Sequence, residues 1–330
     1  MNYANVLREI GRGGDEPRDL PADVARDLFA AMLDGGVPDL ELGAIMTALS
    51  MKAESVDELL GFLGALESRL IRLSAAERPV RPAVIPSYGG ARELPNLLPL
   101  LALLLKHYGV PVLIHGMLES HGRVTTGHVL RELGIMPCAT AHAANEKLAH
   151  DGIAFVPIAA LAPGLASLLA LRVRLGLRNS AHVVAKLIDP FTGPGGPGVC
   201  IVPHGNPTRA KRSRAVLASI GAEALVLAGT EGEAFTNPRR RCRIDHIRNG
   251  VSAMLFDEEA APAQPGPSLP EGTGAKQTAD WIRRAFAGAV PVPHPILNQV
   301  ACCLFACGYT ENFSQAKAIV AIESGHHATA

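Results

Sequence analysis

Apolar residues recur at helical spacing over the first seventy positions and thereafter in short blocks between helical stretches, and this change of period divides the chain. Between Pro21 and Asp34, Val24, Leu28, Met32 and Leu33 fall at helical spacing before Gly35-Gly36 ends the run. Pro38 opens a second helix with Leu40, Ile45, Met46 and Leu49. Ser55 and Glu58 form a capping box ahead of a third, whose Val56, Leu59, Leu60, Leu63, Leu66 and Leu70 share a face. Three short helices cannot bury that much apolar surface among themselves. They must pack on the rest of the chain or on a second subunit.

From residue 82 the pattern predicts strands at Ala83 to Pro86, Val110 to His115, Ile153 to Ile158, Val199 to Val202 and Ala224 to Ala228. Helices are predicted at Leu94 to Tyr108, Arg123 to Leu133, Leu165 to Leu175 and Pro207 to Ile220. Such alternation implies an α/β fold, a largely parallel sheet covered by helices on both faces. Arg243 to Arg248 and Val251 to Phe256, joined across Asn249-Gly250, read as a hairpin. Ala260 to Gly274 is a Pro- and Gly-rich surface loop, and Lys276 to Ala287, Ile296 to Cys307 and Phe313 to Ile322 finish the chain as helices.

A chain of 330 residues, 48% hydrophobic and 19% charged, has ample core and is neither disordered nor fibrous. Its longest apolar run, Leu97 to Leu105, is too short for a bilayer span of roughly 18 residues or more. Met1 to Asp15 lacks the sections of a signal peptide, so a cytoplasmic location with no membrane partner is expected. The six cysteines are thinly spread and read as small buried residues. A net charge of zero conceals unequal blocks: −6 for residues 1–80, +1 for 81–163, +8 for 164–250 and −3 for 251–330. That asymmetry points to a polyanionic partner at one region.

The order Pro86-Ser87-Tyr88-Gly89-Gly90-Ala91, Asn96, a helix, Val110 to Gly116, Leu130-Arg-Glu-Leu-Gly134 and Arg172-Val-Arg-Leu-Gly-Leu-Arg178 resembles the anthranilate phosphoribosyltransferase-like family over nearly the whole chain. Glu9-Ile-Gly-Arg-Gly13, Pro38-Asp-Leu-Glu-Leu-Gly43, Ile85-Pro-Ser-Tyr88 and Arg178-Asn-Ser-Ala-His182 are similar to its YbiB-type nucleic-acid-binding branch. The resemblance implies the class II nucleoside phosphorylase/phosphoribosyltransferase fold. Residues 1–75 would form a small all-helical domain, joined by helices near 165–187, and residues 76–330 a larger α/β domain with a mainly parallel sheet. It also implies a homodimer through the helical domain.

Where that family's enzymes hold pyrophosphate in a G-T-G-G-D turn, this chain has Ser87, Tyr88, Gly89, Gly90 and Ala91. Their N-I-S-T becomes Asn96, Leu97, Leu98 and Pro99, and their K-H-G-N-R becomes Ile114, His115, Gly116, Met117 and Leu118. Their magnesium-binding D-E pair falls near Ala234 and Phe235, with Glu231 and Glu233 close by. Ser87, Tyr88, Gly89, Gly90, Asn96 and His115 are therefore read as a vestigial phosphate site. No catalytic residue, cofactor or metal is assigned; His115, His121 and His128 lack a carboxylate or cysteine to complete a ligand set.

What survives is basic. Arg172, Arg174, Arg178 and Lys186 form one segment, and Arg239, Arg240 and Arg241 another with Arg243. Between them, Asn206 caps and Pro207 starts a helix whose first two turns carry Arg209, Lys211, Arg212 and Arg214, with no acid from Val199 to Ser219. Cations there oppose the helix dipole, whereas an anion is favoured. Val216, Leu217 and Ile220 are expected to face the core. Solvated surface or salt bridges would also explain each segment singly. Together they suggest contacts to DNA or RNA, phosphate-driven and sequence-tolerant because aromatics are only 4% of the chain. The alternative is a glycosyl- or phosphoribosyltransferase, or another ribosyl-bond enzyme, with an unidentified substrate.

Overall fold

A computed structural model describes residues 1–11, 17–120, 122–261, 266 and 268–326. The chain begins with four helices, α1 (Tyr3–Ile10), α2 (Ala22–Leu33), α3 (Asp39–Lys52) and α4 (Val56–Glu67). It continues through β1 (Leu73–Ser74), β2 (Ala83–Ser87), α5 (Leu98–His107), β3 (Val112–Gly116), α6 (Thr126–Glu132), α7 (Ala141–His150) and β4 (Ile153–Pro157). Short helices follow: α8 (Ile158–Leu161), α9 (Pro163–Ala170), α10 (Arg172–Leu175) and α11 (Ala181–Val184). Then come β5 (Phe191–Thr192), β6 (Val199–His204), α12 (Pro207–Ser219), β7 (Ala224–Ala228), β8 (Ile244–Arg248) and β9 (Val251–Phe256), and last α13 (Ala275–Phe286), α14 (His294–Ala306) and α15 (Phe313–His326).

Two units separate. The first joins Met1–Ile71 to Ile158–Ile188, so the four N-terminal helices share a core with α8 to α11. Its centre is a stack of Phe29 on Phe62, ring centroids 4.6 Å apart. Glu58, fully buried, takes the backbone N–H of Leu20 at 3.0 Å and of Ser55 at 2.8 Å and pairs with Lys52 at 2.7 Å. The capping box read from the sequence is thus formed, and both oxygens of its buried carboxylate have donors.

The second unit, Arg72–Pro157 with Asp189–Ala330, is built on a seven-stranded sheet of order β4-β3-β2-β6-β7-β8-β9. From β4 to β7 every pairing is parallel; β8 and β9 add the antiparallel hairpin at one edge. Asn249 and Gly250 both hold positive φ, 51° and 75°, the backbone a two-residue turn of this hand requires. Strands β2, β3 and β4 are buried along their whole length, which is why they read as unbroken apolar runs.

Some elements differ from the sequence reading. The helix predicted over Leu165 to Leu175 is two, α9 and α10, the second stopped by Gly176 in the left-handed region. The helix expected from Leu94 starts at Leu98, where Asn96 Oδ1 accepts the Leu98 N–H at 3.2 Å. That predicted from Arg123 starts at Thr126, capped by Thr125. Helices α1 and α7 have no counterpart in the predicted elements; each buries only two residues, Val6 and Ile10 in one and Ala144 and Leu148 in the other, too sparse a stripe to stand out. Ile220 is 47% exposed, not a core residue. All six cysteines are buried and unbridged. Gly13 and His121 and part of the Ala260 to Gly274 loop lie outside the described residues. No helix among the described residues is long and apolar enough to cross a membrane.

Candidate functional site

In the parallel part of the sheet the chain runs from β2 outward through β3 to β4 on one side, and from β6 outward to β7 on the other. The order reverses between β2 and β6, and in open α/β sheets the crevice beyond the carboxyl ends of such neighbouring strands is where ligands bind. Three loops leave that edge: the turn at residues 87–90 after β2, the entry to α12 at 204–206 after β6, and residues 229–233 after β7.

The first and third of these loops are locked together. The backbone N–H groups of Gly89 and Gly90 both donate to Glu233 Oε1, each at 2.6 Å. Those of Arg92, Glu93 and Leu94 donate to the Glu231 carboxylate at 2.5, 2.8 and 3.3 Å. Successive amides pointing one way form an anion-binding concavity, and charge-assisted bonds of this length are strong. Here the anions are supplied by the chain itself. Glycine is required: Gly90 has φ +73°, and a Cβ at Gly89 would come within 2.8 Å of the Glu231 carbonyl oxygen. Sequence reading notes Glu231 and Glu233 only as neighbours of a lost acidic pair. Ala234 and Phe235, near which the resemblance puts that pair, are buried.

The remaining residues of the vestigial site close on one another. Ser87 Oγ bonds Thr126 Oγ1 at 2.8 Å, Asn96 Nδ2 donates to the same oxygen at 3.0 Å, and Thr126 Oγ1 lies 3.4 Å from Glu233 Oε2. Tyr88 OH and His115 Nδ1 share a 2.8 Å hydrogen bond. Both side chains are buried; burial, and then the charge of Glu233, raise the Tyr88 pKa well above its ordinary value. Burial pushes the His115 pKa down to about 3, so the imidazole is neutral in the folded chain.

That shift has a pH signature. The unfolded histidine titrates near 6.5 and the folded one near 3, so between these values the unfolded state binds the extra proton and stability falls as pH is lowered. One such group contributes a slope of up to about 1.4 kcal/mol per pH unit. His182, lowered to about 3 first by burial and then by Arg178, Arg172 and Lys186, adds to it in the other unit. Denaturant unfolding from pH 7 to 5 should show the decline, and H115Q should flatten it; an unchanged slope would show that His115 does not carry it.

The basic segments fall into different surroundings. Asn206 Oδ1 caps α12 by accepting the Arg209 N–H at 2.8 Å. Arg209 and Lys211 are exposed and Arg212 half-buried, and none of the three has an ion pair among the described residues. Arg214 differs: its Nη1 meets Asp245 Oδ2 at 2.7 Å, and Arg243 pairs with the same buried carboxylate at 2.9 Å. The compensating acid absent from residues 199–219 therefore arrives from β8. Arg240 pairs with Glu258 at 2.6 Å, and Arg241 with Glu259 at 3.6 Å. Arg239 alone of that run is exposed without an ion pair among the described residues. Arg172, Arg174, Arg178 and Lys186 belong to the helical unit, where Arg174 meets Asp39 at 3.4 Å on the surface. Among the described residues no group of three or more His, Cys, Asp or Glu is placed to hold a metal ion.

Residues 4–69 match the helical bundle domain of the glycosyl transferase family. The chain is 40% identical over 321 residues to the uncharacterized protein YbiB of Escherichia coli K12, covering 97% of this chain and 99% of that one. It is 25% identical over 322 residues, 94% of both chains, to an anthranilate phosphoribosyltransferase of Novosphingobium aromaticivorans. Among solved structures, the anthranilate phosphoribosyltransferase of Thermus thermophilus superposes with a TM-score of 0.74 at 20% identity, over 97% of this chain and 93% of that one. The Saccharomyces cerevisiae enzyme in complex with PRPP and Mg gives 0.73 at 15% identity, over 98% and 93%. The fold, a helical domain and a larger α/β domain with a mostly parallel sheet, is thus shared across nearly the full length, and the chain belongs to the anthranilate phosphoribosyltransferase-like family, together with YbiB.

Proposed function

We propose that this chain is a sequence-tolerant DNA- or RNA-binding protein on a degenerate phosphoribosyltransferase scaffold, with nucleic-acid phosphates held at the first two turns of α12. The observation that carries the reading is the contrast among its cations. Arg209, Lys211 and Arg212 stand without ion pairs among the described residues at the helix end that already favours anions, while Arg214, Arg240, Arg241 and Arg243 are paired with acids of the chain. Arg209, in the first turn, costs the free protein roughly 0.3–1 kcal/mol at low salt, a cost that a bound phosphate removes, and Lys211 and Arg212 add like charge one turn further on. Arg239 is a further candidate contact in the same unit, and Arg172, Arg178 and Lys186 are candidates in the helical unit. Labelled oligonucleotide binding at two salt concentrations, run beside a phosphoribosyl pyrophosphate turnover assay, tests the reading.

A transferase reading has family membership and full-length fold in its favour. Against pyrophosphate as its leaving group stands the turn already filled by Glu231 and Glu233. Turnover in the same assay would favour it.

Assembly completes the proposal. In the helical unit a groove of about 810 Å³ runs along Ile10, Leu40, Gly43, Thr47, Met51 and Leu175. Leu40 and Met51 are each 82% exposed, large apolar side chains that a second copy of the helical domain would cover. Sedimentation should give a dimer and M51E a monomer; a wild-type monomer at micromolar concentration would refute the arrangement.

A further inference from the structure

We infer that the cavity between α5, α14 and α15 is a binding site for a small organic amine, its ammonium held by Glu323 and its apolar body by the cavity walls. The inference does not rest on the nucleic-acid reading. Helix α5 starts beside Asn96 at the crevice and runs ten residues back toward the amino end of β3, so its last turn lies about 15 Å from the vestigial site. There Leu104, His107 and Tyr108 border a cavity of about 820 Å³ with the loop at 288–292, the first half of α14 and one face of α15. That volume lies within the range of small-molecule sites.

The walls are mostly apolar, with Phe256, Val292, Leu297 and Val320 among them, and the polar groups are few. Glu323 stands beside Tyr108, whose pKa is raised first by burial and then by a hydrogen bond to that carboxylate and by its charge. Glu323 Oε2 is buried and accepts no hydrogen bond among the described residues; His107 Nε2 stands 3.8 Å from it. A buried carboxylate oxygen without a donor is costly, and a bound ammonium supplies both the donor and the opposite charge. An anionic head would meet a like charge. The side chains of Glu323 and His107 are 43% and 52% exposed, so this end is the mouth, where the head of a ligand stops once its apolar body has entered. Lys317, the lysine of the lining, is turned onto the Phe313 ring at 5.1 Å, six residues and about 9 Å before Glu323 along α15. It does not neutralise the mouth.

The test titrates the full chain with phenylbutylamine and with phenylbutyrate, which share an apolar body and differ in the charge of the head. Binding is followed by calorimetry and by the backbone amide resonances of Tyr108, Val320 and Glu323. The amine should bind saturably and move those amides, and the carboxylate should bind at least about tenfold more weakly. E323Q keeps the shape of the side chain and removes its charge, and should weaken the amine at least about tenfold. A321W, at an exposed position of the lining, should block the amine by filling the cavity. No binding of the amine by wild type, equal binding of the two heads, undiminished binding by E323Q, or saturation that leaves those amides unmoved overturns the inference. Should A321W fail to fold, E323Q and the two heads decide it.

Discussion

Phosphoribosyl pyrophosphate with magnesium should be neither turned over with anthranilate nor able to raise the thermal stability of this protein. The enzymes of the family need open backbone amides, hydroxyls, a lysine and an acidic pair. In this chain the amides of Gly89, Gly90, Arg92, Glu93 and Leu94 are taken, Leu97 and Leu98 are buried in the core, and Ile114 lies inside β3. Admitting the leaving group would mean displacing two carboxylates and then placing its negative charge beside them, so Coulomb repulsion and lost hydrogen bonds act together. A ligand at a hundred times its dissociation constant adds about 2.7 kcal/mol of stability, an effect that calorimetry resolves easily. Measurable product, or stabilisation of that size, would mean the turn opens far more readily than its geometry implies.

The second large effect is expected at α12. Arg214 is committed to Asp245, which leaves Arg209, Lys211 and Arg212 as phosphate contacts on this helix. Each contact contributes a slope of about −0.9 in log affinity against log salt on duplex, or about −0.7 on single strands. Three contacts thus cost roughly 1.6 decades of duplex affinity between 50 and 200 mM salt. R209Q/K211Q/R212Q should flatten the slope by about 2.7 units on duplex, weaken unrelated sequences alike, and leave the fold as stable or slightly more so. Changing Arg283 and Arg284, on α13 in the acidic C-terminal block, should do much less. Wild-type affinity and slope in the triple variant would move the contact to Arg239 or to Arg172, Arg178 and Lys186.

Local patterns carry far in this sequence. The capping box at Ser55, the Asn249-Gly250 hairpin and the buried parallel strands are written within a few residues of where they act, and each appears in the fold. The filled cradle is not legible, because Glu233 meets Gly89 across 144 positions and only the return of β7 beside β6 brings its loop to the β2 turn. The basic runs are overcounted for a related reason. The acids that pair with Arg240 and Arg241, Glu258 and Glu259, lie beyond the hairpin and fall in the next charge block, and Asp245 reaches Arg214 from a strand 31 residues away. Charge summed along the chain registers neither pairing. Leu40, a member of the apolar set that marks α3 and yet 82% exposed, shows the converse: periodicity marks a helix but does not say which of its apolar residues are covered.

The most direct test of the central claim is the affinity of the wild-type protein for two fluorescent duplexes of equal length and unrelated sequence, measured by anisotropy between 50 and 200 mM salt. Nucleic-acid binding through phosphate contacts at α12 predicts that the two duplexes bind alike and that log affinity falls linearly with log salt, with a slope of about −2.7 or steeper. No binding at the lowest salt, or binding whose strength does not change with salt, would contradict it.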